Sequence, residues 1–494
     1  MSARRVVIAG GGITGLSAAY YLERMSADAG APIEITLVER DARLGGKLGT
    51  ERTNGLLVDI GPDSFLAQKP AAVELCREIG LGDEIISPLS SQFYMYTDGS
   101  LHSVPHELVS LVPAKPEALW KTSFLSLAAK TRASAEALVK PRGNIEDESL
   151  SSFMRRRFGD EFAAHFAEPL MGGVHAGDPE RMSMAAIYPM FWEMERKYGS
   201  ITRALLERRL HSAGAAPVKS GSPFVALRSG MQSLVDRLCE RLGNTHIQLG
   251  RSISGIVPPG VRGSAEPGRG SSGSAGPSPH PGQYTATLDT GEELLADAVL
   301  LATPAYMTAR LIQPLSADAA KVLADIPYAS SALATFAYRR EDVENTLQGT
   351  GFLVPRDQGL DITGCTWSSN KWEARAPDGL VLMRAFMGYA GNDEFIGTDT
   401  DEGLCSKAHR ELSRILSIRS TPIFSQINRW RNAMPQYEVG HLARIAQVEQ
   451  DLSAYPGLRL AGSAFRGVGI PDCVRQAKES AEWAIGFLQS LGAT

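Results

Sequence analysis

The chain opens on a short apolar run, "RVVIAG", and a second apolar run, "IEITLVER", follows after a helical pattern from about Gly15 to Ala29. Pro32 breaks the chain just before the second run. Short apolar runs bounded by glycine and proline predict strands, and the longer segment between them has room for a helix, so the opening predicts β-α-β. From about Leu108 to Leu210 helical patterns dominate, interrupted by prolines and by "GGVHAGD". Helix then strand returns in "GMQSLVDRLCERLGNTHIQLGRSISGIV", and strands are predicted in "ALATFAYRR", "TGFLVP" and "LVLMRAFMG". A helix near Asp401–Ile418 precedes the C-terminal segment. Between Pro258 and Gln283 the chain is dominated by Gly, Pro, Ser and Ala. Such a composition cannot bury enough apolar surface to offset its ordering entropy. Its flanks, "RSISGIV" and "QYTATLDTG", read as strands, so residues 258–283 are expected to be a disordered insertion in a hairpin loop. No internal repeat interrupts this reading.

At 494 residues the chain exceeds what one hydrophobic core organises, so two or three domains are expected. The net charge of −5 gives no general attraction to nucleic acid. Cys76, Cys239, Cys365, Cys405 and Cys473 are odd in number, scattered and free of any CxxC spacing. This argues against a disulfide framework or a zinc site and fits a reducing compartment. The N-terminus runs into glycines after two arginines and does not read as a signal peptide. No apolar run approaches the roughly 20 residues of a membrane span. The expected location is cytoplasmic, with at most a surface attachment to a membrane.

Gly10-Gly11-Gly12-Ile13-Thr14-Gly15 places GxGxxG between the first strand and the first helix. The pattern serves a tight turn, close approach of backbone to a pyrophosphate, and close packing of helix on strand. The helix start then offers unpaired N–H groups to phosphate. Glu39 ends the second strand, where a carboxylate accepts from ribose hydroxyls and suits a 2′-OH over a 2′-phosphate. Gly268, Gly270 and Gly273 repeat the spacing without a preceding strand or following helix, and that copy is rejected as low complexity. After Glu39, "ERDARLGGKLGT" sets Arg43 beside a glycine pair, Gly45-Gly46. A second close backbone approach suits a larger, resident FAD rather than a nicotinamide cofactor. No second credible fingerprint marks a separate NAD(P)H domain, so electrons are expected to pass from substrate to flavin to oxygen or another acceptor.

Beyond the fingerprint, "LVERDARLGGK", "DIGPDSFL", "EPLMGGVHAGDPERMS", "TGCTWSSNKW", "AMPQYEVGH" and "GVGIPDCV" resemble the porphyrinogen oxidases of haem synthesis over nearly the whole chain. The first motifs are shared with amine oxidases and phytoene desaturases and specify only the fold. "GPDSF", "GVHAGD", "AMPQY…GH" and "GVGIPDC" are more specific and are similar to the soluble bacterial branch that includes coproporphyrinogen III oxidases, with protoporphyrinogen IX oxidases as relatives. The resemblance implies an α/β fold: a Rossmann-like FAD-binding domain of the amine-oxidase/glutathione-reductase type, an α+β substrate domain and a helical domain. The expected division is residues 1–72, 224–303 and 430–494 for FAD, 73–92 and 304–429 for substrate, and 93–223 for the helical part. Carried over, Gly10–Gly15, Glu39, Arg40, Arg43, Gly45, Gly46, Lys47, Gly61, Pro62, Asp63 and Ser64 are expected at FAD. Ile253 matches a position meeting the adenine, and Val468, Gly469 and Ile470 match a stretch under the flavin ring. Gly173 matches a glycine near the substrate cavity. No anchoring cysteine or histidine stands out, so non-covalent FAD is expected.

The implied partners are a porphyrinogen, O2 and an enzyme of the haem pathway that receives the product. The implied chemistry is three two-electron oxidations at one flavin, with oxygen reduced to hydrogen peroxide. Such chemistry needs a methylene bridge placed about 3–3.5 Å from the flavin more than it needs an acid or base, so no catalytic residue is named. The choice between coproporphyrinogen and protoporphyrinogen, the cations for the propionates and the oligomeric state stay open. His175 and His441 read first as turn or packing residues, Cys365 as filler in a strand, and Trp430 as either core or a neighbour of the flavin. Arg155, Arg156 and Arg157 read as a solvated helix face. "PHELVSLVPAKPEALWKTSFLSLAAKTRASAEALVK" mixes apolar and basic positions at helical spacing, which suits a helix packed on its own domain better than a membrane-surface face. In "AGSAFRGVGIPDCVRQA", Pro471 suits a helix start and Cys473 reads as a small helix residue rather than a nucleophile.

Overall fold

A computed structural model describes residues 3–105, 108, 116–143, 146–212, 222–260 and 282–491. Its organising element is a parallel five-stranded sheet built from β1 (Arg4–Ala9), β2 (Ile33–Glu39), β3 (Thr245–Leu249), β4 (Ala298–Leu301) and β5 (Leu458–Leu460) in the order β3-β2-β1-β4-β5. Helix α1 (Ile13–Asp28) makes the crossover from β1 to β2. Alternation along β1 sends Val6 and Ile8 to one core, and Val7 and Ala9 to another on the opposite face. A sheet covered on both faces reads as a continuous apolar run, which is why "RVVIA" carries no polar face. Ile253–Val257, Tyr284–Leu288 and Glu293–Ala296 form an antiparallel sheet whose inward residues join the second core. The predicted hairpin strands are therefore present, while residues 261–281 of the expected insertion lie outside the described residues.

The segment 116–212 is a packed cluster of short helices, including α2 (Leu150–Phe158) and α3 (Glu168–His175). Phe158, Phe162 and Phe166 pack in series at tilted angles, with ring centroids 5.1 and 5.2 Å apart. Three expectations need correction here. The arginine triplet is not a solvated face: Arg157 is fully buried, and Arg156 lies largely between Glu148 and Glu195. Leu150, Phe153, Met154 and Arg157 follow the helical repeat, so Arg157 occupies the apolar face of α2. It survives there because Glu136 faces it, Val139 and Gly199 carbonyls accept from it, and Glu136 also accepts from Ser200, Ile201 and Thr202 at the next helix start. "GGVHAGD" is likewise only half an interruption. Its first residues belong to α3, which ends at His175 and is followed by Ala176 in a left-handed conformation. The long basic-apolar segment is not one helix; its described part splits into Pro116–Trp120, Leu127–Ser134 and a turn at Glu136–Leu138.

A seven-stranded sheet is formed mainly by Tyr328–Arg339, Leu380–Met387, Ile362–Trp367 and Phe424–Pro435, with Tyr94–Thr97 and Ser100–Ser103 at one edge. Val381, Met383, Ala385 and Met387 face helix α4 (Asp401–Leu416), capped by Thr400 at its start and by left-handed Ser417 at its end. The alternate residues Leu382, Arg384 and Phe386 face the other way, toward the N-terminal segment. The last helix, α5 (Ile470–Ser490), lays Val474, Ala477, Ala481 and Ala484 against Leu16, Ala19 and Leu22 of α1 in one core. Small residues along one stripe let the two helices approach closely.

The Arg157 network gives a direct contrast. Removing one partner of a buried ion pair costs about 3–5 kcal/mol, whereas exposed pairs contribute about 0–1 kcal/mol. Arg157→Ala should therefore lower the melting temperature and expose residues 116–212 to limited proteolysis. Arg155→Ala, at a side chain that is 40% exposed, should leave both measurements close to wild type.

Candidate active site

The site begins where β1 ends. Gly10 takes φ +104°, and a Cβ built on it would stand 2.7 Å from the Ala302 carbonyl oxygen. A Cβ at Gly15 would stand 1.8 Å from the Gly10 carbonyl oxygen, so α1 can start this close to the turn only with glycine there. Gly12 caps α1 without any side-chain acceptor, and a Cβ there would meet nothing within 4 Å. The first-turn N–H groups near Ile13 and Thr14 are thus left for an anion. The Glu39 carboxylate accepts from the Gly11 N–H at 2.5 Å and from the Asp41 N–H at 2.8 Å. It holds the turn as well as facing the site, and a carboxylate with about four acceptor positions keeps capacity for a hydroxyl.

The second glycine pair folds over the first. The Gly45 N–H donates to the Gly11 carbonyl at 2.8 Å, and a Cβ at Gly46 would lie 3.3 Å from the Gly12 Cα. Arg43, though exposed, folds back on its own loop and donates to the carbonyls of Leu44, Gly46 and Leu48, so its role here is to shape this loop. Arg40 instead lies at the surface, 3.5 Å from Asp41. Gly61 packs where a Cβ would be 2.0 Å from the Lys47 carbonyl oxygen, and the Lys47 side chain donates to the Ala433 carbonyl. Burial pulls the Lys47 pKa below its ordinary value. Ile253 starts its strand two residues after Arg251, whose N–H donates to the Glu39 carbonyl, and it shares a core with Val38.

The C-terminal stretch closes the same site. A Cβ at Gly462 would lie 3.8 Å from the Thr14 hydroxyl, and the Cys473 thiol sits against that hydroxyl with Lys47 nearby. Val468 precedes Gly469, which caps α5 without a side-chain acceptor, and Ile470 and Pro471 open the helix. Burial pushes the Cys473 thiol up to about 11, which removes it as a nucleophile near neutral pH. Gly10 and Ile470, though 460 positions apart in sequence, therefore belong to one cradle.

Asp63 ties this cradle to the seven-stranded sheet. Its carboxylate accepts from Trp372 at 3.0 Å and Ser64 at 2.8 Å, and Lys371 and Arg384 each lie 3.3 Å away. Burial alone would raise its pKa, but Lys371 and Arg384 outweigh that and hold it well below the usual carboxylate range. Arg384 also donates to the Gly61 carbonyl, and Trp430 donates to the Ile60 carbonyl at 2.9 Å. Pro62 is exposed between them. Sequence reasoning missed Arg384, Lys371 and Trp372. An arginine in the middle of the apolar strand "LVLMRAFM" was the available signal.

Gly173 lies exposed on α3, where a Cβ would be 3.8 Å from Leu353. His175 follows it; burial, with Lys69 nearby, pushes its pKa down to about 4, and its Nδ1 has no partner among the described residues. His441 stacks on Tyr437 with centroids 3.8 Å apart, and its Nε2 lies 3.1 Å from the Phe465 carbonyl. It is a packing residue behind the C-terminal stretch. Cys365 is buried in its strand with a thiol raised well above its ordinary pKa. A solvent-reached cavity of about 170 Å³ lined by Asp178, Arg181, Tyr328, Asp393, Gln436 and Glu438 lies behind His175. It is too small for a macrocycle, since sites for large organic ligands run to about 300–1,000 Å³.

A parallel sheet, a glycine turn on an uncapped helix start and a carboxylate ending the second strand define a dinucleotide-binding oxidoreductase fold. The family described as flavin containing amine oxidoreductase matches residues 13–485. Coproporphyrinogen III oxidase of Bacillus subtilis (strain 168) is 34% identical over 99% of this chain and 99% of its own. Protoporphyrinogen oxidase 1, chloroplastic, of Arabidopsis thaliana is 30% identical over 96% of this chain and 87% of its own. Among solved structures, a provisionally assigned protoporphyrinogen oxidase from Exiguobacterium sp. 255-15 superposes with a TM-score of 0.81 at 33% identity, covering 99% of this chain and 100% of its own. A putrescine oxidase at 16% identity, with a TM-score of 0.64 and coverage of 98% and 99%, shares the fold alone. The chain belongs to the flavin-containing amine oxidoreductases, in the branch that holds the porphyrinogen oxidases.

The cradle fits a flavin. Glycines stand where side chains would fill it, and two helix starts without side-chain caps open onto it. Two outcomes follow. Glu39→Ala removes hydrogen bonds to a charged acceptor and also loosens the Gly11 turn. Flavin affinity should fall at least about tenfold in a retention or fluorescence titration. The second concerns His441, whose pKa burial depresses to about 4 from an unfolded value near 6.5. The unfolded chain binds the extra proton first as pH falls, so up to about 3 kcal/mol of stability is present above pH 6.5 and lost between there and pH 4. Melting temperatures measured across that window should fall less steeply for His441→Phe than for wild type.

Proposed function

We propose that this chain is an FAD-dependent coproporphyrinogen III oxidase, which takes six electrons from its substrate and passes them to oxygen, giving coproporphyrin III and hydrogen peroxide. The observation that carries this reading is the end-to-end likeness to the Bacillus subtilis coproporphyrinogen III oxidase, 34% identical over 99% of both chains. Protoporphyrinogen IX is the second candidate substrate, favoured by the likeness to the Arabidopsis thaliana protoporphyrinogen oxidase. In this reading residues 1–72, 224–303 and 436–494 make the FAD domain, 73–103 and 304–435 the substrate domain, and 104–223 the helical one; the expected bounds at 93 and 430 move because Tyr94–Thr97, Ser100–Ser103 and Phe424–Pro435 pair in the seven-stranded sheet.

A bound flavin would supply the hydride acceptor for a methylene bridge of the macrocycle. The residues hold it there. Gly10–Gly15 and the start of α1 take the pyrophosphate, and Glu39 takes the ribose. The Gly45–Lys47 and Gly61–Ser64 loops carry the middle of the cofactor, and Ile253 flanks its adenine. Val468, Gly469 and Ile470 would carry the ring, and the start of α5 would favour negative charge on it. Burial of the nearby thiol and imidazoles, each held in packing, supports non-covalent attachment. Leu353, which packs near Gly173, and Phe386 share one row of the seven-stranded sheet across Gly364 and offer an apolar face, Phe386 being 39% exposed on the sheet face that carries Arg384. Protons from pyrrole N–H groups leave to water, so no side chain is needed as base.

Among the described residues no helix is long and apolar enough to cross a membrane. The proposed location is cytoplasmic, and exposed Trp120, Leu127 and Leu138 on the helical unit are the residues that would touch a membrane surface or a pathway partner. The test is anaerobic mixing of the FAD-loaded protein with each porphyrinogen while flavin absorbance is followed. Faster bleaching by coproporphyrinogen III supports this reading, and faster bleaching by protoporphyrinogen IX transfers it to the second substrate. Bleaching by amines but by neither porphyrinogen would sink both.

A further inference from the structure

One ion pair in the cradle has no counterpart in the functional reading. Lys69 Nζ lies 2.7 and 2.9 Å from the two carboxylate oxygens of Asp472. Lys69 precedes the helix Pro70–Glu78, and Asp472 is the third residue of α5, so the pair joins two helix starts 403 positions apart. Asp472 is nearly enclosed, with its side chain 12% exposed, while Lys69 is 51% exposed.

The loop that leads into α5 is wrapped around this carboxylate. A Cβ on Gly467, at φ +114°, would stand 2.5 Å from Asp472 Cγ, and one on Gly469 would stand 3.1 Å from Oδ2. The Gly467 N–H donates to the Tyr437 hydroxyl at 2.9 Å, and that hydroxyl donates to the Ser463 carbonyl at 2.7 Å. Asp472 thus lies behind Gly467–Gly469. A first-turn carboxylate ordinarily gains from the positive end of a helix. With Val468–Ile470 read as the flavin platform, the same helix end would face a ring that becomes negative on reduction, and an uncompensated carboxylate would oppose that charge. Lys69 supplies the compensation. His175, which neighbours Lys69, is kept neutral by burial and supplies none.

We propose that Lys69 and Asp472 are positioning residues that set the reduction potential of the flavin: Asp472 shapes the Gly467–Gly469 loop, and Lys69 cancels the charge this placement brings. The inference rests on the reading of Val468–Ile470 as the flavin platform. It predicts effects of opposite sign from the two halves of one salt bridge. Lys69→Met leaves a bare carboxylate behind the ring and should make reduction harder. Asp472→Asn leaves a bare ammonium and should make it easier.

The experiment is a midpoint-potential measurement by dye equilibration on the FAD-loaded wild type, Lys69→Met, Asp472→Asn and the double variant. A unit charge about 10 Å from another at an effective dielectric of about 20 changes an equilibrium by about tenfold. For a two-electron couple that is about 30 mV, downward for Lys69→Met and upward for Asp472→Asn. The double variant should return near wild type. Shifts of the same sign, or none in variants that retain flavin, would overturn the inference, because a merely structural bridge predicts no sign reversal. If Asp472→Asn fails to retain flavin, Lys69→Met decides alone, and an unchanged or raised potential overturns the inference. A wild type that holds no flavin defeats the underlying reading instead. Bleaching by a porphyrinogen without opposed shifts defeats only this inference.

Discussion

The contact on which the rest of the site depends is between two backbones: Gly15 against the carbonyl of Gly10, with no room for a single carbon between them. That contact sets how close α1 starts to the end of β1. It leaves the first-turn N–H groups open and fixes where Gly45-Gly46 must fold to meet Gly11 and Gly12. The stripe of alanines on α5 then packs against α1, and this brings the Gly462–Ile470 stretch to the same place from the far end of the chain. Glycine spacing and helix packing thus assemble the site before any polar group contributes.

The charges around the cradle follow a second logic. Asp63, Asp59 and Asp472 are enclosed, and each is faced by at least one cation: Lys371 and Arg384, Arg375, and Lys69. The Lys47 amine is buried as well and donates to a backbone carbonyl. A buried carboxylate without a partner would be protonated or destabilising. With partners, these groups pin loops that carry no secondary structure, such as Gly61–Ser64. The seven-stranded sheet contributes through Arg384 and Trp430, which fasten it to the Ile60–Gly61 backbone and so fix the height of its Phe386 face above the cradle.

Much of this was legible in the sequence where a backbone requirement forces a residue type. The β-α-β opening, both glycine loops, Glu39 and the start of α5 at Ile470 follow from patterns with few physical alternatives. The Arg155–Arg157 triplet shows the limit: three adjacent charges look solvated, yet helical spacing from Leu150 and Phe153 already placed Arg157 inward. Arg384 was hidden for the complementary reason, since alternation assigns it a face but cannot say that Asp63 waits there. The Lys69–Asp472 bridge depends on how two distant segments meet and has no local signal at all. Arg40 was carried into the site by its neighbours in the motif, whereas its side chain turns to Asp41 at the surface.

A single cradle of this kind has one place for one ring, so a six-electron oxidation must be made in repeated two-electron steps on a macrocycle that is either held or rebound in new orientations. The most direct test is to count hydrogen peroxide against porphyrin formed under air with coproporphyrinogen III as substrate. If the flavin is reoxidised by oxygen after each two-electron step, three peroxides are expected for each coproporphyrin III. Porphyrin formation without peroxide, or peroxide release with no coproporphyrin III, would contradict the account.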